Sequence, residues 1–151
     1  MECLIDGKKI GSELEQIDVI NPATGKIVDT VPRGGKKEAK DAVDAAFNAF
    51  PSWSELSTDQ RSAKLEKWHD LINLNKEDLA QTLTIEQGKS IKEARDEITY
   101  ANSFIKWYAE EGRRNYGRLI PASHSNKRLF VIHQPVGEVF FPNEEIQIQT
   151  F

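Results

Sequence analysis

The run Ser90-Ile91-Lys92-Glu93-Ala94-Arg95-Asp96-Glu97-Ile98-Thr99-Tyr100-Ala101-Asn102-Ser103-Phe104-Ile105-Lys106-Trp107-Tyr108-Ala109-Glu110-Glu111 carries the longest periodic pattern in the chain. Ser90 and Glu93 form a capping box, in which a hydroxyl and a carboxylate satisfy the first free amides of a helix. From there Ile91, Ala94, Ile98, Ala101, Ile105 and Tyr108 recur at steps of three and four, which predicts a helix reaching about Arg113. Fewer than three heptads are present, and Phe104 and Trp107 widen the stripe beyond a coiled-coil seam. The expected role is packing against neighbouring helices.

Working back from Ser90, Gly88 supplies a left-handed stop for a preceding helix that carries Leu79, Ala80, Leu83 and Ile85 and is capped by Asn75. Ser57 and Gln60 form a second capping box, followed by Leu65, Trp68, Leu71 and Ile72 as the expected buried face of a helix ending near Leu74. A further amphipathic helix is read from Lys36 to Phe50 on Ala39, Val43, Ala46, Phe47 and Phe50, with Pro51 as its stop. Residues 3–32 read as two short hairpins, turned at Asp6-Gly7 and at Asn21-Pro22-Ala23-Thr24-Gly25. Beyond the long helix, Tyr116 to Asn126 reads as a loop and Lys127 to Gln134 as a strand. Val139-Phe140-Phe141 and the alternating Ile146 to Phe151 are further β-like runs. The predicted fold class is α+β: amino-terminal β-hairpins, about four packed helices and a terminal β segment.

Composition narrows the functions. The 151 residues are 38% apolar and 29% charged, and 20 Lys plus Arg against 24 Asp plus Glu leave a net charge of −4. A chain of this length buries roughly 68–70% of its unfolded surface, enough for one domain. Mild acidity gives no general attraction for nucleic acid or an anionic membrane, and neither is an expected partner. No apolar run exceeds Leu129 to Ile132, which is far below a membrane span, and no signal-type core opens the chain. The lone Cys3 forms no intramolecular disulfide, so a reducing, cytoplasmic setting is expected.

No residue pattern completes an active site. Gly88-Lys89-Ser90 ends like a phosphate-binding loop, but Leu83 stands where the first glycine is required, and Gly88 follows a helix rather than a strand. Arg33-Gly34-Gly35-Lys36-Lys37 opens a helix, where amides can hold an anion, yet its order is also that of a plain strand-to-helix connection. His69, His124 and His133 lack metal-ligand spacing, and Cys3 has no adjacent histidine or helix start to activate a thiolate. Glu110-Glu111 and Glu144-Glu145 are sequence neighbours and point apart. The basic stretch Arg113 to Arg128 reads as a solvated helix end, with an anion contact as its functional alternative. Catalytic, cofactor-binding and metal-binding residues are therefore expected to be none.

Several segments, in order, resemble the amino-terminal part of the aldehyde dehydrogenase superfamily. They are Leu4 to Lys8, Val19 to Gly25, Ala42 to Phe47 leading to Trp53, Arg61 to Leu65, Leu83 to Lys89 with Glu93-Ala94 and Glu97, Phe104 to Glu111, Tyr116 to Pro121 and Gln134 to Gly137. Glu86-Gln87-Gly88-Lys89 and Trp107-Tyr108-Ala109-Glu110-Glu111 look most like the succinate-semialdehyde dehydrogenase branch. The resemblance implies oxidation of an aldehyde to a carboxylic acid through a cysteine thiolate, a glutamate general base and NAD or NADP. It maps none of these onto the present residues, so no cofactor bound by this chain alone is expected.

After Gln134-Pro135-Val136-Gly137 the family continues toward a Pro-Trp-Asn-Phe-Pro motif, whereas this chain has Phe141-Pro142-Asn143-Glu144. No oxyanion role is carried onto Asn143. The division expected is an aldehyde dehydrogenase-like segment over residues 1–137 and a divergent tail over 138–151. A truncated or frameshifted product, inactive alone, is expected, with a complete small protein as the alternative. The other function class weighed is a non-enzymatic module that self-associates through Lys127 to Gln134 or assembles with a full-length relative.

Overall fold

The computed structural model describes residues 2–137 and 139. At the amino-terminal end Asp6 and Gly7 take φ of 52° and 69°, the paired left-handed residues that a two-residue hairpin turn requires. They join β1 (Cys3–Ile5) to β2 (Lys8–Ile10) with Cys3 opposite Ile10. The second hairpin pairs β3 (Gln16–Ile20) with β4 (Ile27–Pro32). Its loop is held by Asn21, whose Oδ1 accepts from the Ala23 amide at 2.9 Å while its carbonyl accepts from Gly25 at 2.8 Å.

Four helices follow: α1 (Lys36–Ser54), α2 (Thr58–Leu74), α3 (Lys76–Gln87) and α4 (Ile91–Glu111), the last running into a short 3-10 turn at Gly112–Arg114. Both predicted serine capping boxes form. The Ser57 hydroxyl accepts from Gln60 N–H at 3.2 Å, and the Ser90 hydroxyl accepts from Glu93 N–H at 3.3 Å. Gly88 closes α3 at φ 81°. Asn75 stands at the start of α3 without a side-chain cap, because its amide donates back to the Leu71 carbonyl at 2.7 Å.

Pro51 does not stop α1. The missing proline N–H costs one backbone bond near the helix end, and the last turn is held by Glu55 N–H and the Ser54 hydroxyl, both donating to the Pro51 carbonyl at 3.1 and 2.9 Å. The loop read between Tyr116 and Asn126 also contains a strand, β5 (Arg118–Ile120), which pairs antiparallel with β6 (Leu129–Val131). The strand read over Lys127 to Gln134 is thus three residues long. Its partner is bounded by Pro121, which has no amide to donate, and by Gly117, whose absent Cβ would lie 2.3 Å from the Val131 carbonyl oxygen. The readings on Phe140-Phe141, Asn143, Glu144-Glu145 and Ile146 to Phe151 lie outside the described residues.

The helical unit is built on a seam of small residues. Ala80, Ala94, Ala109, Ser62 and Asn102 are almost wholly buried, so the helix backbones approach closely where α4 crosses α2 and α3. Antiparallel contacts recur along α2 and α4 at every turn: Asp59 with Arg113, Ser62 with Ala109, Glu66 with Lys106, His69 with Asn102. Arg95 joins α4 to α3 through a bidentate pair with Glu77 at 2.6 and 2.8 Å. The faces expected to be buried are only partly so. Trp68 and Leu71 of α2 and Ala101 and Tyr108 of α4 are exposed, and Phe104 and Trp107 lie on the far side of α4 instead of widening its packed face.

One surface carboxylate reports directly on a cap. Glu93 is held below the usual glutamate range, first by the Ser90 hydroxyl donating at 2.8 Å and then by the Ser90 N–H. A lowered folded pKa stabilises above the unfolded value of about 4.3, and that stabilisation is lost as pH falls through the folded value. Glu93→Gln is therefore expected to flatten the acid limb of stability against pH by lowering the neutral-pH value toward the acid one, read as the urea midpoint between neutral pH and the acid transition.

Candidate functional site

The structure disperses the sequence candidates. Gly88 and Ser90 are consecutive helix caps, and Lys89 between them ion-pairs with Glu97 of α4. At the start of α1 the Gly35 amide that could bind an anion already donates to Glu38 Oε2 at 2.7 Å, which holds the Glu38 carboxyl below the usual range. Arg33 is engaged by both oxygens of Glu15 at 3.3 Å. Glu110 turns to Lys106 and Glu111 to Arg114, so the adjacent acids serve separate ion pairs. In the basic stretch, Arg113 bonds Asp59 and Glu66.

Cys3 is half-buried in β1, His124 is exposed, and His133 is bonded to Asn115. Among the described residues no three His, Cys, Asp or Glu side chains come together as a metal site, and no helix is long and apolar enough to cross a membrane.

Among the described residues, a polar cluster inside the packed region centres on Asn102, a residue that sequence periodicity passes over. Its side-chain amide donates to the His69 carbonyl and to Asn73 Oδ1, each at 3.0 Å. His69 Nδ1 lies 3.1 Å from the Asn102 carbonyl, which only accepts, so Nδ1 carries the proton. In the neutral ring Nε2 then accepts from the Asn73 side-chain amide at 2.9 Å. Each group has one consistent orientation, and the cluster fixes the α2–α4 register. It locks packing and offers no reactive centre.

What remains is surface. The chain exposes 12097 Å², whereas a compact 17.1 kDa monomer exposes about 7,800 Å². Even granting the fourteen residues outside the described set the area of an unfolded chain, about 2,600 Å² of excess remains. Much of it is aromatic and aliphatic: Phe47 on α1, Leu74 on α2, Tyr100, Phe104, Trp107 and Tyr108 on α4, and Leu119, Phe130 and Ile132 around the β5–β6 ribbon. Apolar exposure on this scale marks a surface shaped to be covered.

A helical unit with half-covered faces, preceded by two hairpins and followed by a short ribbon, is a partial α+β fold. The aldehyde dehydrogenase family model matches residues 10–141, and the chain belongs to that family. It is 47% identical over 137 residues to the glutarate-semialdehyde dehydrogenase of Pseudomonas putida, covering 90% of this chain and 28% of that enzyme. It is 49% identical over 137 residues to the mitochondrial succinate-semialdehyde dehydrogenase of Oryza sativa, covering 90% and 26%. A solved Escherichia coli structure, described as an NADP dependent enzyme, superposes with a TM-score of 0.85 at 45% identity over 87% of this chain and 27% of that one. The chain thus spans about a quarter of the length of the relatives it matches.

Proposed function

We propose that these residues are the amino-terminal portion of a NAD- or NADP-dependent semialdehyde dehydrogenase, which oxidises a short aldehyde bearing a distal carboxylate to the dicarboxylate, and that they do not turn over by themselves. The observation that carries this reading is high identity across nearly all of the chain combined with coverage of a quarter of each relative. Relatives acting on succinate and glutarate semialdehydes stand equally near, and the two substrates differ by one methylene. The substrate class is accordingly a four- or five-carbon semialdehyde. The chemistry needs an activated thiolate, a base and a nucleotide site. No residue of this chain is assigned those roles. A reducing compartment, the cytoplasm, is the setting proposed.

The test is nucleotide reduction with succinate semialdehyde, first by the purified chain and then after mixing with a separately produced carboxy-terminal portion of a family member. No turnover alone and turnover on mixing are expected. Activity of the chain alone overturns the inactivity, and a folded mixture without activity counts against the portion reading.

A second reading, a self-association module, is favoured by Phe130, 71% exposed on a two-stranded ribbon, with Ile132 exposed just beyond it. On that reading Lys127 to Gln134 pairs with a second copy or with a full-length relative through an unpaired strand edge.

A further inference from the structure

We propose that His69, Asn73 and Asn102 form an acid-sensitive latch on the α2–α4 seam, in which protonation of His69 at Nε2 releases the Asn73 side chain. The latch is independent of any activity of a longer polypeptide. In the neutral cluster each bond runs in one sense only. His69 Nδ1–H donates to the Asn102 carbonyl at 3.1 Å, and the Asn73 amide donates to His69 Nε2 at 2.9 Å. The Asn102 amide donates to Asn73 Oδ1 and to the His69 carbonyl, each at 3.0 Å. Asn102 is buried, His69 half-buried and Asn73 exposed, so Asn73 is the member that can turn to water without opening the seam itself.

A proton on Nε2 turns that acceptor into a donor. If Asn73 turns over to present Oδ1 to the ring, its amide nitrogen faces that of Asn102, donor against donor. If Asn102 turns over as well, its oxygen faces the His69 carbonyl, acceptor against acceptor. No combination of amide rotations restores every bond, and outward rotation of Asn73 leaves the Asn102 side chain with one bond to α2 in place of two. No carboxylate stands ready to hold the new charge. On α2, Glu66 is paired with Lys106 of α4 at 3.8 Å and with Arg113 at 3.3 Å, while Asp70 is exposed and turned roughly 100° around the helix from His69. On α4, Lys106 also pairs with Glu110 at 3.4 Å, and Arg95 takes Glu77 of α3 at 2.6 Å. Among the described ion pairs none includes His69. The unfolded chain accepts the same proton without losing these bonds, so it binds more protons than the folded chain across the imidazole range, and stability falls as pH falls.

Urea denaturation of the 151-residue chain between about pH 7.5 and about pH 5.5, across the imidazole range and above that of ordinary carboxylates, tests this directly. The midpoint is expected to fall by about 0.5 M on acidification, the shift that one lost hydrogen bond produces at the urea slope of a small domain. Asn73→Asp is expected to reverse the sign: one carboxylate oxygen accepts from Asn102 as before and the other accepts from the protonated ring, so the midpoint rises as pH falls. Asn73→Ala leaves Nε2 to water and is expected to flatten the dependence, while His124→Gln combined with His133→Gln keeps it. If Asn73→Asp loses the fold, Asn73→Ala gives the reading. A wild-type midpoint that does not fall, a dependence as steep in Asn73→Ala or Asn73→Asp as in the wild type, or its loss in the His124 and His133 double variant overturns the proposal.

Discussion

Asn102→Ala is expected to lower the unfolding free energy by about 2–3 kcal/mol, which for a chain of this size shifts the thermal midpoint by roughly 5–10 °C. Asn102 is 2% exposed, and its amide is the only side-chain donor reaching across the seam to both the His69 carbonyl and Asn73 Oδ1 among the described hydrogen bonds. Truncation removes both bonds, leaves Asn73 Oδ1 without its donor from α4 and opens a small void between α2 and α4, while His69 Nδ1 keeps its bond to the main-chain carbonyl of residue 102. The Asn102 Oδ1 atom itself has no donor, so the same truncation also removes one buried orphan acceptor and keeps the loss to this range. Asn102→Asp keeps the shape and loses both donors. Urea denaturation of the two variants separates packing from hydrogen bonding, and a loss below about 1 kcal/mol in both would show that the amide does not hold the seam.

Gly88→Val is the second large effect, with an expected cost of about 2–4 kcal/mol. Gly88 sits at φ 81°, where a β-branched residue is strained, and a Cβ there would lie 2.7 Å from Pro22 Cγ. The corner between α3 and α4 thus leans on the loop of the second hairpin, and the substitution wedges the two apart. The two causes are separable. Gly88→Ala alone carries a smaller strain plus the clash, and in a Pro22→Ala background the clash is relieved while the backbone strain stays. A double-mutant cycle is expected to recover about 1 kcal/mol. Full additivity would show that the loop and the corner do not touch in solution.

These two sites differ in how far they could be read from sequence. Gly88 is legible because a glycine between two periodic helices, followed by Ser-x-x-Glu, is local chemistry that works without tertiary contacts. For the same reason the hairpin turns, both serine capping boxes and the order of four helices could be read directly. Asn102 is invisible to periodicity, since a polar side chain in mid-helix looks like surface until its acceptors on α2 are in place. The packed face of α4 is legible in part, at Ile91, Ala94, Ile98 and Ile105, while Ala101 and Tyr108 of the same stripe stay exposed. Apolar residues lie around most of that helix, and the face that buries is the one carrying alanines and Asn102, because small side chains permit close backbone approach. Pro51 reads as a stop because the rule is local, whereas its tolerance depends on the few bonds that remain after it. Strand β5 is too short to show alternation and exists only through β6. As for the candidate site, Gly88 and Ser90 serve as helix caps, and Lys89, Arg33, Glu110, Glu111 and Arg113 are held in ion pairs. The exposed aromatic face could not be foreseen, because exposure is a property of the assembled fold.

The unbroken antiparallel register between α2 and α4, from Asp59 with Arg113 inward to His69 with Asn102, bears on the order of events at the ribosome. Every contact in it closes within residues 58–114, so the helical unit needs nothing synthesised later in order to fold. Such local topology folds fast compared with the pace of elongation. In any longer polypeptide that begins this way, the α2–α4 contacts involve only residues already made once Arg114 has been added.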